Sequence, residues 1–581
     1  MTDFAVLYDH GRRCWLRFSE PTEVYQVDNL ASVLSTLQTI EQRVARDRLF
    51  AAGFISYEAA PAFDAALPTK PTDDFPLLSF GLFSSCQPVE LPSAHQPRSA
   101  IDWQPTITQA DFTRSVNLIH DAIACGETYQ VNFTFPLEAS LNCDPWQFFC
   151  QLVHGQQAGA SGYLSAGRWA ICSASPELFF ARQGGQLTMR PMKGTAPRGR
   201  TLVEDRLFAN CLQQSVKDRA ENIMILDMVR NDLGRVAPPG SVKVEELCAL
   251  EKYPTLWQLT STASATSSAS LSELFCALFP CASITGAPKA RTMQIINRLE
   301  TEPRRIYTGS FGWLAPDGAA RFSVAIRTAL IDRQLQSASY GVGAGITWDS
   351  QSADEYHECM TKALVLKQPW HDYSLIETLR WSPFKGYFLF EEHLSRLRDS
   401  CAYFDFPYDE DRVRRRLAEA TEPFTATTAQ RVRLLLNNSG QVDVSFHPLD
   451  TPPKQPPLHA RLARSPVDSS DRFLYHKTTR RHVYNDALAE AGTVDEVLLC
   501  NERGELTEFT IGNLVVERDG RLLTPPIDSG LLPGTYRRYL LERGVIEEQV
   551  LRIGDMQSCK RLWLINAVRK WCRVILDLGS P

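Results

Sequence analysis

The chain has 581 residues, 44% of them hydrophobic and 22% charged, and a formal net charge of -6. That length exceeds one ordinary core and implies two or more domains, while the mild acidity and the lack of a long basic run argue against nucleic acid as a partner. Fifteen cysteines without a CxxC pair argue against a zinc knuckle or iron–sulfur cluster and suit buried thiols in a reducing compartment.

The opening "MTDFAVLYDHGRRCW" places charges where an export signal would be apolar, and no membrane-spanning run follows, so a cytoplasmic protein without a membrane partner is expected. Residues 1 to about 90 mix short strand-like runs with a predicted helix near 31–49. The proline-bearing stretch 88–105 reads as a long loop or lid, and from Asp111 a helix, a glycine stop and a strand follow. Helix and strand signals alternate irregularly, which predicts an α+β chain.

"RPMKGTAPRG" (190–199) sets Lys193 and Thr195 among prolines and glycines, just past a strand pair turning at Gly184-Gly185. Read alone, Lys193 is a surface lysine in a turn. Two long helices are predicted near 215–232 and within 350–367. Helical spacing puts Asp218 with Glu221 on one face, and Glu355 with Glu358 on another. Either face alone reads as a solvated one. The apolar surroundings of Glu221 in "ENIMILDMVRNDLG" instead turn a carboxylate into a site, where it needs pairing, hydrogen bonding or a metal. Oxygen ligands without clustered Cys or His suit Mg2+.

"STASATSSAS" (261–270) is predicted to be a flexible connection or the cap of the helix in "LSELFCALFP". "YTGSFGWLAPDGAARFSVAIRTALI" reads as a hairpin turning at Pro316-Asp317-Gly318, and "SASYGVGAGITWDS" as a strand whose Gly343 and Gly345 permit close approach. The pattern restarts after "LKQPWHDYS", giving domains 1–369 and 370–581. The second divides into subdomains of about 374–448 and 467–550, with a stiff proline-rich linker at 449–466 and a closing strand and tail. Lys477 in "FLYHKTTRRHVY" reads alone as a basic helix start. With Glu508, Thr510 and Asn513 at a strand-to-turn transition, and Gly534-Thr535 at a predicted helix start, it is compatible with a pyridoxal phosphate site.

"GETYQVN", "PMKGTAPRG", "ENIMILDMVRNDLGR", "SITGAPKARTMQII", "YTGSFGW", "RFSVAIRTA", "YGVGAGI" and "ADEYHECMTKA" occur in that order. Over roughly 40–367 they resemble the chorismate-utilising enzymes, in particular the aminodeoxychorismate synthase component I branch. The resemblance implies a large α+β sandwich around a Mg2+-dependent site. It implies Glu221 and Glu358 as metal ligands with Asp218 and Glu355 behind them, and Arg327, Gly343 and Gly345 as carboxylate-binding parts. Thr285 is implied as a contact to the substrate ring or its oxygen. Lys193 is implied as the nucleophile at C2 of chorismate, displacing the C4 hydroxyl before ammonia adds at C4, with Thr195 positioning the departing oxygen. Relatives often carry histidine where "LWQLTST" has Gln258. Glutamine can position a group but is neither acid nor base near pH 7. Glu177 in "SASPELFF" is an additional polar contact or a strand-edge acid. No GxCxG nucleophile segment is present, so a separate glutamine amidotransferase partner supplying ammonia is implied.

"IETLRW", "FLFEEHLSRL", "HKTTRR", "LTEFTIGN" and "SGLLPGTYR" resemble, over about 374–545, the class IV (fold type IV) pyridoxal phosphate enzymes and their aminodeoxychorismate lyase branch. The resemblance implies that Lys477 carries the cofactor, that Glu508 faces its ring nitrogen, and that Arg396, Gly534 and Thr535 hold phosphate, with Thr510 and Asn513 around them. Thr378 is implied as an aid to proton transfer, and a homodimer through this domain is expected. The pairing implies a route from chorismate and ammonia to 4-aminobenzoate and pyruvate. Two alternatives are an anthranilate-type synthase fused to a class IV transaminase, and a C-terminal scaffold that has lost catalysis.

Overall fold

A computed structural model describes residues 4–71, 73–92, 101–367, 372–421, 428–449 and 457–577. The chain forms two compact units. The first comprises 1–197 and 209–371. The second comprises 372–581 together with the short segment 198–208.

The first unit is built on two ten-stranded sheets. Strand alternation sends successive side chains to opposite faces. In Phe50–Ile55, Ala52 and Phe54 join Leu7, Phe18 and Phe311 in the layer between the sheets, while Ala51 and Ile55 face helices on the outer side. One of these helices, Leu30–Asp47, buries Val33, Leu37, Ile40 and Val44 on one stripe and starts at Asn29, whose side chain accepts from the Ser32 amide. A second apolar layer, including Phe112, Phe149 and Ile296, covers the outer face of the other sheet. The result is helix, sheet, sheet, helix.

The 316–318 turn joins Ser310–Leu314 to Ala320–Val324, with Leu314 opposite Ala320. Strand Ser337–Ile346 pairs with Gln130–Ser140 along its whole length. Helix Val216–Gly234 starts at Ser215, whose hydroxyl accepts from the Asp218 amide. The expected helix within 350–367 is two, Ser352–Lys362 and Leu364–Lys367. The small polar stretch 261–270 is no flexible connection: strand Leu256–Thr266 takes its first six residues, and Ser270 caps helix Leu271–Leu278. Small side chains suit a strand buried on both faces. The expected loop at 88–105 begins with strand Gln87–Val89, and 93–100 lie outside the described residues.

The second unit has a four-stranded sheet, Leu375–Ser382 with Gly386–Tyr387, Gln430–Leu436 and Val442–Pro448, packed on helices Phe390–Phe404 and Glu410–Thr421. It also has an eight-stranded sheet. The expected linker 449–466 is corrected in part. Leu458–Leu462 is a strand lying parallel between Glu496–Cys500 and Lys570–Asp577, because its alternating Ala460 fills the core of that sheet. Residues 450–456 lie outside the described residues. The expected closing tail is the hairpin Arg561–Asn566 and Lys570–Asp577. Segment 198–208 joins this unit through Arg198, which bonds both oxygens of Asp205 and the Tyr403 carbonyl, while the Tyr403 hydroxyl donates to the Gly199 carbonyl at 2.6 Å. Among the described residues no helix is long and apolar enough to cross a membrane.

Two candidate catalytic sites

Lys193 lies in strand Met192–Pro197, opposite Leu256–Thr266. Met192 faces Thr260 and Thr195 faces Gln258, so one extra residue is accommodated in a bulge. Gly194 takes φ +91 there, and a Cβ on it would sit 3.0 Å from Asp218 Cβ. The bulge turns Lys193 inward, and the Asn222 amide fixes it by donating to the Lys193 carbonyl at 3.1 Å. Gln258 holds the same bulge: its Nε2 donates to the Gly194 carbonyl at 2.9 Å and its Oε1 accepts from the Thr195 hydroxyl at 3.2 Å.

Lys193, Thr195, Asp218, Glu221, Gln258, Arg327, Gly343, Gly345, Glu355 and Glu358 line one cavity, together with Glu177, Lys217 and Lys362. Thr285 is not among them. It is fully buried and its hydroxyl donates to the Cys281 and Ala282 carbonyls, so Ser283 and Ile284 stand at the cavity instead. The Thr285 hydroxyl, expected at the substrate ring or its oxygen, is thus engaged within its own turn.

Burial lowers the Lys193 amine below the ordinary lysine range, against the opposing pull of Glu221, Glu358 and Glu355. Burial raises Glu221 and also Glu355, whose Oε1 accepts from Ser350 at 2.6 Å. Burial acts upward on Glu358 too, but Lys362 at 2.6 Å outweighs it and holds that carboxyl low. Lys362 also donates to the Gly343 carbonyl at 3.0 Å. Arg327, 7% exposed, donates to the Lys362 carbonyl and has no carboxylate partner among the described residues, which leaves a guanidinium for an anionic ligand. Glu177 is 2% exposed, accepts from the Ser283 hydroxyl at 2.6 Å and is pushed up to about 7 by burial. It is a carboxyl poised to give or take a proton near neutrality, a role its place in "SASPELFF" did not reveal.

The donor set fits a hard divalent cation. Its groups are all carboxylates, and burial raises two of them, a cost that a cation removes. Among the described residues no three of them already converge as a ligand cluster. A Mg2+ ion needs only one or two carboxylates with water and substrate.

In the second unit the Lys477 carbonyl accepts from the Ile376 amide at 2.9 Å, fastening the lysine's segment to strand Leu375–Ser382. Burial brings the Lys477 amine down to about 8, with Arg396, Glu377, Arg481 and Glu508 close enough to act on it. Glu508 is 4% exposed and pushed up to about 7 by burial; it accepts from the Tyr484 hydroxyl at 2.8 Å, the Leu532 amide at 3.1 Å and Asn513 Nδ2 at 3.1 Å. Asn513 thus orients the acid. Thr510 is spent on Glu496 at 2.7 Å. Arg396 grips both oxygens of Glu377, at 2.9 and 2.7 Å, and Pro533 through its remaining nitrogen. Gly534 caps helix Thr535–Glu542, and a Cβ on it would fall 2.1 Å from Asn513 Oδ1. The Thr535 hydroxyl meets His393 Nε2 at 3.3 Å. By strand alternation Thr378 faces away from Glu377, on the side of Arg380. A buried amine of lowered pKa opposite a buried acid, with a bare helix start beside them, fits a pyridine aldehyde phosphate. Glu377, His393 and Tyr484 were in plain view in the sequence but carried no signal of their role.

Residues 5–368 match the model of the chorismate binding enzymes, and residues 374–575 that of amino-transferase class IV. Aminodeoxychorismate synthase component 1 of Escherichia coli is 41% identical over 271 residues, and that of Salmonella typhimurium 40% over 270; each match takes in 46% of this chain. The chain spans 59% of the length of those curated relatives. Anthranilate synthase component I of Streptococcus pneumoniae shares the fold, with a TM-score of 0.53 and 23% identity over 63% of this chain and 92% of that one. Matched over more than half its length, the protein belongs to the chorismate binding enzyme family, with an amino-transferase class IV domain following.

Proposed function

We propose that the chain makes 4-aminobenzoate from chorismate in two steps, amination to 4-amino-4-deoxychorismate in the first unit and elimination of pyruvate in the second. The observation that carries the first step is the meeting of Lys193, Glu177 and the Glu221/Glu358 pair in one cavity. Lys193 Nζ, its neutral form favoured by burial, attacks C2 of chorismate as the ring double bond shifts and the C4 hydroxyl leaves. Glu177 gives that hydroxyl its proton, so water departs. Ammonia then bonds at C4, the double bond returns, and the C2–N bond to Lys193 breaks. Arg327 holds a substrate carboxylate. Glu221 and Glu358 would hold Mg2+, which supplies positive charge for the ring carboxylate, and Asp218 and Glu355 stand behind them.

In the second unit Lys477, Glu508, Gly534, Thr535 and Arg396 would hold pyridoxal phosphate, which supplies an electron sink for the substrate's C4 carbanion. Glu508 keeps a proton on the ring nitrogen, and Asn513 and Tyr484 keep Glu508 in place. Lys477 Nζ removes the C4 proton and returns it to the departing enolpyruvate, with Thr378 on the adjoining strand face. The relatives' designation as component 1 supports a separate ammonia-supplying amidotransferase subunit, and we place the protein in the cytoplasm as a homodimer.

The test is a product assay on purified protein with chorismate, ammonium, Mg2+ and pyridoxal phosphate, the last two withheld in turn. 4-Aminobenzoate with equimolar pyruvate is expected, with aminodeoxychorismate accumulating when pyridoxal phosphate is withheld. Anthranilate as product would overturn the assignment.

A further inference from the structure

Behind the Lys193 cavity lies a second one of about 510 Å³, which shares only Tyr307 and Gly341 with it. Gly341 has no side chain to hold the Tyr307 ring away: a Cβ there would come within 2.2 Å of Tyr307 Cγ. The ring therefore lies against the strand as the partition between the two spaces. Its hydroxyl bonds to no protein group among the described residues, so the ring can swing without breaking a hydrogen bond.

The frame around it is fixed. Arg304, 7% exposed, donates to the Asn132 carbonyl at 2.8 Å and the Ile284 carbonyl at 3.1 Å, and closes on Glu300 at 2.6 Å. The two charges at the inner wall cancel each other. Such a wall suits a small neutral molecule and disfavours a dicarboxylate, which would lose its hydration without gaining a partner. Beside Gly345 of the Lys193 cavity stands Gln130, 1% exposed, with neither its amide oxygen nor its nitrogen hydrogen-bonded among the described residues. Its Nε2 and Lys193 Nζ lie 2.3 and 2.4 Å from the place a Gly345 Cβ would take. A free buried amide beside the amine is a docking point for a small molecule with N–H donors and a lone pair.

We propose that ammonia reaches Lys193 from this second cavity, past the Tyr307 ring, and is received by the Gln130 amide. This rests on the amination proposed above. Chorismate would enter by the other mouth.

Two substitutions fill the outer cavity without touching the catalytic one. Ser339→Trp stands two residues from Gly341 on the same strand face, and Leu118→Trp lies on a helix at the cavity mouth where the leucine is 51% exposed, so the fold tolerates it. Initial rates of aminodeoxychorismate formation are measured against ammonium and against chorismate, with melting temperatures as controls. The KM for ammonium is expected to rise at least about tenfold while that for chorismate stays within about twofold, a split that general loss of structure does not produce. An unchanged ammonium KM in folded variants, or a chorismate KM that rises instead, would overturn the passage. If Ser339→Trp does not fold, Leu118→Trp decides. Failure of the parent protein to aminate chorismate at all refutes the activity itself and is seen before any variant is made.

Discussion

Replacing Glu177 by Gln keeps the shape of the side chain and its bond to Ser283 while removing a carboxyl that burial pushes up to about 7. A positioned acid contributes roughly 10²–10⁴-fold, which corresponds to about 3–5 kcal/mol of barrier. The steady-state rate of aminodeoxychorismate formation should fall by that factor, with the chorismate KM little changed. The pH profile is the sharper readout. In the parent a rising limb comes from Lys193 losing its proton, and a falling limb from Glu177 losing its own as pH climbs through about 7. The two groups face each other, so the limbs report the pair. Glu177→Gln should abolish the falling limb and leave the rising one. A variant that keeps the falling limb, or loses less than about tenfold in rate, would refute the assignment of Glu177 as the acid.

Lys477→Ala should stop pyruvate release and let aminodeoxychorismate accumulate at the parent's rate of chorismate consumption, checked by chromatography of the two products. Glu508→Gln should weaken retention of pyridoxal phosphate, read from its absorbance after gel filtration. Gly194→Ala should slow amination while the melting temperature drops only slightly, because an alanine at φ +91 strains the bulge that aims Lys193, at a cost on the order of 1–2 kcal/mol. Glu58 is a test of electrostatics away from either reaction. It is 2% exposed, has one oxygen without a partner, and burial pushes its carboxyl up to about 8. A folded value above the unfolded one means that its contribution to stability is present below about pH 4.3 and is lost as pH rises through about 8, at about 1.4 kcal/mol per pH unit as an upper bound. Glu58→Gln should therefore gain melting temperature over the parent progressively across that window, and a constant difference would contradict this.

Much of the first site was legible because its groups sit in short ordered motifs: Lys193 between glycine and prolines, and paired acids at helical spacing. What the sequence did not disclose depends on distant partners. The bulge that turns Lys193 inward exists only through the register with Leu256–Thr266. The role of Glu177 comes from burial under a loop about a hundred residues away, where the Ser283 hydroxyl meets it. Thr285 carried a motif, yet its hydroxyl caps carbonyls of its own turn. In the second unit the motif residues Asn513 and Thr510 bond to Glu508 and Glu496, since buried carboxylates take the nearest donors. Segment 198–208 reads as the continuation of the first unit, but Arg198 and Gly199 find their partners at Tyr403, some two hundred residues on.

Covalent capture at Lys193 tests the central claim most directly. The protein is incubated with chorismate and Mg2+ in the absence of ammonium, quenched in acid, digested and mapped by mass spectrometry. The account predicts an increment of chorismate less one water on the peptide bearing Lys193, discharged on prior addition of ammonium. An unmodified Lys193 in protein that aminates chorismate at full rate, or an adduct at another residue that ammonium discharges, would contradict it.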